Sequence, residues 1–483
     1  MAKPTINILT DEELESVHLT SFKILEDVGA YLPSKEILRM LADNGAQVNY
    51  TTNIARFPRG VVKEYISKAP SEFTLAARDE DYNMNLRPGN FYFGIGSGAV
   101  RFRDVETGEA RTATVSDFEN LIKISDVLSN FSFVGEAVTP IDVPPDLAAQ
   151  YMWASLLKHS RKHIHMYLND PLSVRDGINM ASAVVGSEEE LVRKPIIDFL
   201  ACIGQPLTFE KRFLEGFVEA AKHGIPLWVH SGAMAGATGP VTLAGTLALC
   251  NAEILGGITI AQMTRPGTPV IYTNWARIFD MKSQNVTFGS PEFAMLRIAT
   301  GQLVRKYYRI PFSNAGFQTD SKLLDAQNGY DAHTTLIGML AGSNLLLGST
   351  IDGANMTDPL SWVINNELAA HYRQIIKGFR VDEMTLAFDI VKSVGAGPGH
   401  NFLATKHTHD HLREQHWLDY AISERRPFSL WEKDGSKDTR QRAKVWLQSK
   451  LKAYKPEPLS VDVQRNIDQV LEQAKSRSYT TIS

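Results

Sequence analysis

The sequence predicts an α/β protein built on a TIM (β/α)8 barrel, with an N-terminal α+β extension and a C-terminal helical extension. Short apolar runs alternate with helical stretches about eight times between residues 91 and 380, and roughly 290 residues is the length of such a barrel with modest insertions. Residues 226–264 read as buried strand, Gly-rich turn and buried helix, one unit of a parallel sheet. The main alternative, a doubly wound open sheet, lacks a GxGxxG stretch between strand and helix.

The pattern divides the chain into three parts. Residues 1–90 form an N-terminal extension, whose first helix opens with a capping box at Thr10 and Glu13. Residues 91–380 form the barrel. Residues 381–483 are more polar, and their aromatic segment at 414–431 is expected to pack on the barrel or on a second subunit. We therefore expect a homo-oligomer.

Each strand is predicted from a short apolar run bounded by turn residues. The strands are Phe91–Ile95, Phe131–Gly135, His163–Leu168, Ile196–Ile203, Leu227–His230, Pro269–Thr273, Pro311–Ala315 and Leu345–Ser349. The helices are predicted near residues 117–128, 147–159, 173–185, 210–223, 240–264, 291–308, 325–341 and 361–377.

The helix after the fifth strand is the most apolar part of the chain. Pro240 suits its first turn because the fixed φ fits and the missing N–H is not needed there. Glu253 is its single formally charged residue, so the helix must be covered on most of its surface. Because Asn251, Glu253 and Gln262 interrupt its apolar run, we interpret it as a core helix rather than a membrane span.

Composition excludes several classes of protein. Hydrophobic residues make up 43% and charged residues 22%, which is typical of globular rather than disordered chains. A net charge of -4 favours neither nucleic acid nor an anionic membrane. The two cysteines, Cys202 and Cys250, cannot build a disulfide framework. With no apolar signal core at the N-terminus, we expect a cytoplasmic protein.

Several long motifs in order carry a family resemblance. They are FRDVETGE (102–109), GATGPVTLAGTLALCNAEILGG (236–257), DSKLLDAQNGYDA (320–332), LAGSNLLLGSTIDGANM (340–356) and GPGHNFLATKHTHDHLREQHW (397–417). Together they resemble the trimethylamine methyltransferase family, including its members without pyrrolysine, over most of the chain. The resemblance also implies a TIM barrel.

The resemblance implies methyl transfer from an amine to the cobalt of a corrinoid (cobalamin) carried by a separate protein. In the founding enzymes pyrrolysine is thought to activate the amine, and this sequence contains none. A quaternary ammonium needs no such activation, because its nitrogen is already positive and leaves as a neutral amine. The absence of pyrrolysine therefore indicates a quaternary amine donor, with glycine betaine as the best candidate and dimethylglycine as the product.

The active-site residues of such a barrel lie at the carboxyl ends of the strands. Aromatic faces there would hold a quaternary ammonium by cation–π attraction, each worth about 0.5–2 kcal/mol. Tyr272, Trp275 and Phe317 follow neighbouring predicted strands and form the expected cage. Tyr167 and Trp228 precede two other strand ends, where strand alternation decides whether they face the site.

A substrate carboxylate would need cationic or amide donors. Arg277, Asn274 and Gln318 are the candidates nearest the cage, and Asp320 lies in the motif-bearing loop after the seventh strand. Candidate catalytic residues are His230 and Glu136, which end two strands, and His333, which lies in the helix after the seventh strand. For each of these, a structural role is the competing interpretation.

The C-terminal histidines do not predict a metal site. His400, His407, His409, His411 and His416 fall close together, but a helix would splay 407, 409 and 411 around its surface. Zinc sites normally combine fixed geometry with Cys or carboxylate partners. We therefore expect no metal in this chain.

Two other functions stay open. One is a metal-dependent hydrolase or lyase on the same barrel, against which the scarcity of His and Asp pairs at strand ends speaks. The other is a betaine-binding protein without catalysis. Proline betaine, carnitine, butyrobetaine and choline are alternative donors.

Overall fold

Eight parallel strands close into one barrel in the computed structural model, which describes residues 5–481 and their side chains to residue 477. The strands are β1 (Tyr92–Ile95), β2 (Phe131–Gly135), β3 (His163–Tyr167), β4 (Ile197–Cys202), β5 (Leu227–Ser231), β6 (Val270–Asn274), β7 (Phe312–Gln318) and β8 (Leu345–Thr350). Each pairs with the next along the chain, and β8 pairs with β1. The predicted barrel is confirmed, with strand bounds within a few residues.

A helix follows each strand and forms the outer layer. These helices are α1 (Val115–Asp126), α2 (Ala148–His159), α3 (Pro171–Val185), α4 (Lys211–Lys222), α5 (Leu243–Thr264), α6 (Pro291–Leu303), α7 (His333–Leu340) and α8 (Pro359–Lys377). Helix α5 is long and apolar enough to cross a membrane, but 83% of its most apolar window is buried inside the protein. Its composition is therefore explained by burial in the core.

The barrel is lined by alternate residues of each strand, because successive strand residues point to opposite faces. Leu200, Trp228, Ile271 and Leu347 belong to one interior cluster, whereas their neighbours pack toward the helices. At Gly94 a Cβ atom would lie 2.0 Å from the Phe133 ring. Glycine at this position leaves room for that ring in the barrel interior.

The N-terminal extension is α+β. Its helices are Asp11–Lys23, the π-helical turn Ile24–Val28, Lys35–Asp43, Arg59–Ile66 and the 3-10 turn Glu80–Tyr82. Ala30–Tyr31, Gln47–Asn49 and Ile54–Arg56 form one small sheet, and Phe73–Leu75 pairs with Met84–Leu86. Leu75, Met84 and Leu86 join the interior cluster, so this hairpin closes the amino-terminal end of the barrel.

The C-terminal extension is helical. Its helices are Glu383–Leu386, Phe388–Val394, Lys406–Gln415, Phe428–Lys433, Thr439–Ala453 and Val461–Thr481. Arg440 bonds to Asp358 at the start of α8 with a distance of 2.8 Å, and Lys158 of α2 bonds to Asp468 at 2.5 Å. The last two helices are thereby fixed to the outer layer of the barrel.

Shorter elements decorate the connections. The strands are Arg101–Arg103, Ala110–Arg111, Met234–Ala235, Arg277–Asp280, Asn285–Val286 and Met356–Thr357, and the helical pieces are Pro145–Leu147, Glu188–Arg193, Val304–Tyr308 and Ala326–Asp331. Most of them belong to loops at the carboxyl ends of the barrel strands, where they build up the mouth of the barrel.

Candidate active site

Buried polar atoms without a hydrogen-bond partner concentrate at the carboxyl ends of the barrel strands. Buried polar groups in folded proteins are nearly always partnered, so such a concentration marks a place that a polar ligand or water completes. Half of the atoms of this kind in the described residues lie at or near the strand ends: Ser97 Oγ, both ring nitrogens of His230, Asn274 Nδ2, Trp275 Nε1, Arg277 Nε, Thr287 Oγ1, Gln318 Oε1, Ser349 Oγ and Thr350 Oγ1.

His230 and Trp275 form the centre of this region. Their rings meet edge to face, with centroids 4.7 Å apart and planes at 64°. Burial, together with the nearby positive charge of Arg277, lowers the pKa of His230 to about 3. The imidazole is therefore neutral at physiological pH, and it offers one donor and one acceptor nitrogen to a ligand.

Arg277 brings a positive charge to the same place. A Cβ atom at Gly232 would lie 2.8 Å from Arg277 Nη1 and 3.0 Å from His230 Cε1, so both side chains converge on this glycine. Nη1 donates to the Trp275 carbonyl at 3.1 Å, and the guanidinium lies 5.2 Å from the Phe288 ring centroid. Within residues 5–477 no carboxylate pairs with it, and burial lowers its pKa.

Glu136 and Tyr167 close the opposite side. The Tyr167 amide donates to the Glu136 carboxylate at 3.0 Å. Burial raises the pKa of Glu136 to about 7 and that of Tyr167 well above its usual value. The charge of Glu136 also raises the pKa of Tyr167, whereas the charge of Arg277 lowers it. The region thus carries one acidic and one basic end.

A buried network lies one layer deeper in the barrel, and the sequence interpretation missed it. Asp198 contacts His165 Nδ1 at 2.6 Å, His163 Nε2 at 3.0 Å and Trp228 Nε1 at 2.6 Å. Burial alone would raise the pKa of Asp198, but the two histidines bring it down to about 2. The signal was present as inward polar residues on β3 and β4, yet these strands read as continuous buried runs.

Two of the three expected cage residues lie elsewhere. Tyr272 points outward from β6, where its hydroxyl donates to Asn251 at 2.8 Å and its ring stacks on Tyr308. Phe317 packs outward on Tyr372, with ring centroids 5.8 Å apart. Its φ of +52° breaks the alternation of β7 and turns the ring out of the barrel. The cage prediction is therefore corrected for Tyr272 and Phe317, and Trp275 is retained.

The predicted amide donors lie near the strand ends as expected. Asn274 accepts the Ala276 amide at 2.9 Å and keeps its own amide nitrogen unpartnered. Gln318 is buried on β7 with Oε1 unpartnered. Both side chains have hydrogen-bonding capacity left for a ligand.

Asp320 and His333 have other surroundings. Both carboxylate oxygens of Asp320 accept backbone amides, from Phe288 at 2.8 Å and from Gly289 at 2.9 Å. Asp320 therefore joins the loop after β7 to the loop after β6, which leaves it little capacity for a substrate. His333 is exposed at the start of α7 and bonds to the Tyr330 carbonyl at 2.6 Å, so the structure does not bring it to His230 or Glu136.

The C-terminal histidines lie outside this region. His407 and His411 face each other on the helix Lys406–Gln415 with ring centroids 4.7 Å apart. Within the described part of the chain, no three His, Cys, Asp or Glu side chains are grouped as metal ligands.

Sequence comparison finds close relatives along the whole chain. A family model described as Trimethylamine methyltransferase (MTTB) matches residues 1–478. Trimethylamine methyltransferase MttB of Desulfitobacterium hafniense (strain DSM 10664 / DCB-2) is 32% identical over 471 residues, 96% of this chain and 93% of that protein. Glycine betaine methyltransferase of Desulfitobacterium hafniense (strain Y51) is also 32% identical, over 97% of both chains.

A solved structure shares the fold. The crystal structure of the hydroxylamine MtmB complex superposes with a TM-score of 0.50, covering 77% of this chain and 86% of that chain. At 12% sequence identity the likeness extends to the barrel architecture alone.

Proposed function

We propose that this chain, which belongs to the trimethylamine methyltransferase family, transfers a methyl group from a quaternary amine to the Co(I) of a corrinoid held by a partner protein. Glycine betaine is the proposed donor, and dimethylglycine is the product released. The two relatives are named for trimethylamine and for glycine betaine. The donor of a methyltransferase of this group can therefore be a tertiary or a quaternary amine.

The observation that carries the choice of a betaine is the unpaired charge of Arg277. A largely buried guanidinium without a counter-ion is costly, because burial removes the water that would otherwise solvate it. Its Nε has no hydrogen-bond partner. The carboxylate of glycine betaine supplies the missing charge and accepts from the planar fork of donors. Trimethylamine has no group that does this.

The ammonium end of the same molecule finds complementary surroundings. Trp275 meets His230 edge to face, and Tyr167, whose backbone amide donates to Glu136, supplies a second aromatic ring. Aromatic faces attract a quaternary ammonium without a hydrogen bond, and the Glu136 carboxylate adds charge attraction when it is ionised. A zwitterion thus fits between Arg277 and Glu136 with the positive end toward Trp275 and Tyr167.

The chemical step requires positioning rather than proton transfer. A corrinoid on the partner protein would supply a Co(I) nucleophile for a methyl carbon, and the electron pair of the broken carbon–nitrogen bond would stay on the nitrogen of the released dimethylglycine. Cobalt would pass from Co(I) to Co(III) because its own two electrons form the bond to the methyl carbon, and no proton would move. A neutral His230, with its pKa near 3, suits a role in orienting the donor.

The barrel mouth carries an exposed apolar surface on which the acceptor protein could dock. Exposed apolar side chains come from the loops after six of the eight strands and surround the carboxyl ends. These mouth residues are Val100, Ile141, Leu172, Val241, Met281, Leu323 and Tyr330. Scattered exposed apolar residues need no explanation, but a ring of them at a site marks an interaction surface. We propose that the corrinoid protein docks here.

Product identity tests the proposal. The purified protein is incubated with reduced cobalamin and glycine betaine carrying carbon-13 in its methyl groups, and the mixture is followed by NMR. We expect dimethylglycine and methyl-cobalt signals to grow in equal amounts. Binding of glycine betaine with no product, using both free cobalamin and corrinoid proteins, would instead support the non-catalytic binding protein. The same assay with choline, carnitine and proline betaine ranks the donors.

A further inference from the structure

Residues 379–416, here called the C-terminal arm, lie almost entirely on the surface. The arm contains three helices, Glu383–Leu386, Phe388–Val394 and Lys406–Gln415, and none of its residues is buried. Ordering each residue costs about 1–2 kcal/mol of backbone entropy, and burial normally offsets that cost. An ordered segment of this length without buried residues therefore lacks its packing partner.

The arm is bound to itself and not to the barrel. Every hydrogen bond and ion pair formed by the described side chains of the arm stays within it, such as His400 to the Val394 carbonyl, Thr408 to the Phe402 carbonyl and Lys406 to Asp410. Contacts to the body resume only after the arm, where Glu367 of α8 accepts the Ile422 amide at 2.7 Å. The arm is a projection with fixed ends.

Its exposed surface is apolar. Phe379 is 77% exposed, Phe388 71% and Leu403 84%, and Val381, Met384, Leu386, Val391 and Phe402 are exposed as well. The three phenylalanines alone present on the order of 400 Å², which is about half of the roughly 800 Å² that each partner buries in a stable interface. The arm has four Lys or Arg against five Asp or Glu, so its charge does not favour an anionic membrane or nucleic acid.

A complementary groove lies at the same end of the molecule. The arm starts after Lys377, where α8 reaches the amino-terminal end of the barrel. A cavity of about 610 Å³ opens at this end, between the starts of β1, β7 and β8. Its lining is mainly apolar and includes Phe91, Ile310, Phe312, Met339, Leu340 and Ile376. The chain thus carries a projecting apolar segment and an apolar groove side by side.

From these features we propose that the C-terminal arm packs on a second copy of this chain, in a symmetric interface formed at the amino-terminal end of the barrel. An isologous dimer requires one surface to be self-complementary, and the pairing of arm and groove provides that. A permanent partner also explains the apolar character, because obligate homodimer interfaces are more apolar than transient ones. The corrinoid protein is the less suitable occupant, since it must reach the opposite end of the barrel.

Matched variants test the interface. V391D changes an arm residue that is 53% exposed, and the control V445D changes the same residue type at 57% exposure on the helix Thr439–Ala453. Analytical ultracentrifugation should give the wild type and V445D a mass of at least twice 53.7 kDa. V391D and F388D should sediment as the 53.7 kDa chain or dissociate at least tenfold more readily. A monomeric wild type, or V391D that associates like V445D, would overturn the proposal.

Hydrogen exchange on the wild type provides an answer that does not depend on variant folding. The amides of residues 383–394 should exchange more slowly in concentrated than in dilute protein, because dilution separates the copies. Protection that is independent of concentration, or that appears only after a corrinoid protein is added, contradicts a second copy as the occupant. Neither measurement relies on methyl transfer, so the proposal stands or falls separately from the proposed function.

Discussion

The rings of His230 and Trp275 meet edge to face with centroids 4.7 Å apart, and both rings have unpartnered nitrogens in the buried region above the barrel core. His230 belongs to β5, and Trp275 lies in the loop after β6. Arg277 is two residues further along that loop and converges on the same glycine, Gly232. The aromatic surface of His230 and Trp275 and the positive charge of Arg277 are the basis of the following predictions.

Replacing Arg277 should weaken the binding of ligands that carry a carboxylate and leave the binding of ligands without one nearly unchanged. A hydrogen bond to a charged group contributes about 1.5–3 kcal/mol, so R277Q should weaken glycine betaine binding by roughly 10- to 150-fold. Choline carries the same ammonium without a carboxylate, and its binding should change little. Calorimetric titration measures both. R265Q serves as control, because Arg265 is a half-buried arginine bound to the Lys222 carbonyl, and equal losses for both ligands would contradict the assignment.

Trp275 should recognise the positive charge of the ligand's ammonium group rather than its shape. The compound 3,3-dimethylbutanoate has the form of glycine betaine with carbon in place of the positive nitrogen. W275A should reduce the preference for glycine betaine over this isostere, whose tert-butyl end is uncharged, by about 2- to 30-fold, the equivalent of one cation–π contact. W275F keeps an aromatic face and should retain most of the preference. A preference unchanged in W275A would remove this residue from the ammonium site.

Ionisation of Glu136 should make the binding of glycine betaine depend on pH. Its pKa, raised by burial to about 7, means that the carboxylate becomes ionised as pH passes through this value. Since the ionised form attracts the ammonium, affinity for glycine betaine should rise as pH increases from about 6 to about 8. E136Q should bind more weakly at high pH and lose this dependence. Affinity that falls with rising pH in the wild type would exclude this role.

The same shift affects stability with a definite sign. Because the folded pKa of Glu136 lies above its ordinary value of 4.5, the folded state binds the proton more tightly than the unfolded state does. The free energy of unfolding should therefore decrease as pH rises from 4.5 to about 7. E136Q cannot ionise and should show a smaller decrease than the wild type in denaturant titrations. An equal decrease in both proteins would contradict the raised pKa.

Asp320 is expected to act on the loops rather than on the substrate. D320N replaces an acceptor of the Phe288 and Gly289 amides with a partial donor, and one such bond contributes about 1.5–3 kcal/mol. The variant should lose stability by this order in thermal unfolding while keeping the discrimination between glycine betaine and its isostere. D280N provides an exposed loop control of the same kind, since Asp280 accepts the Lys282 amide. Lost discrimination in a fully stable D320N would restore a binding role.

The barrel was predictable from the sequence because its strands are buried on both faces. Such strands read as continuous apolar runs, so Ile197–Cys202 and Leu227–Ser231 stand out between amphipathic or apolar helices. The same property hides which side chains face inward. Tyr272 was expected at the site for this reason, although its hydroxyl bonds to Asn251 in the outer layer.

The remaining site errors have local causes. Phe317 leaves the barrel because its backbone has a positive φ, and no sequence pattern announces that conformation for phenylalanine. The network around Asp198 was missed because single polar residues inside an apolar run look like interruptions. His230, Trp275, Arg277 and Glu136 could be named as candidates because they lie at or just after the ends of strands, and closed barrel geometry brings these ends to a common face.

Consumption of Co(I) is the most direct measure of the central proposal. Reduced cobalamin, free or on a corrinoid protein, is mixed with the purified protein and either glycine betaine or trimethylamine, and the Co(I) absorption band is followed. We predict loss of Co(I) and formation of methyl-Co(III) with glycine betaine, a much slower reaction with trimethylamine, and a strong reduction of the first reaction in R277Q. Methylation from trimethylamine but from no betaine would contradict the proposed donor.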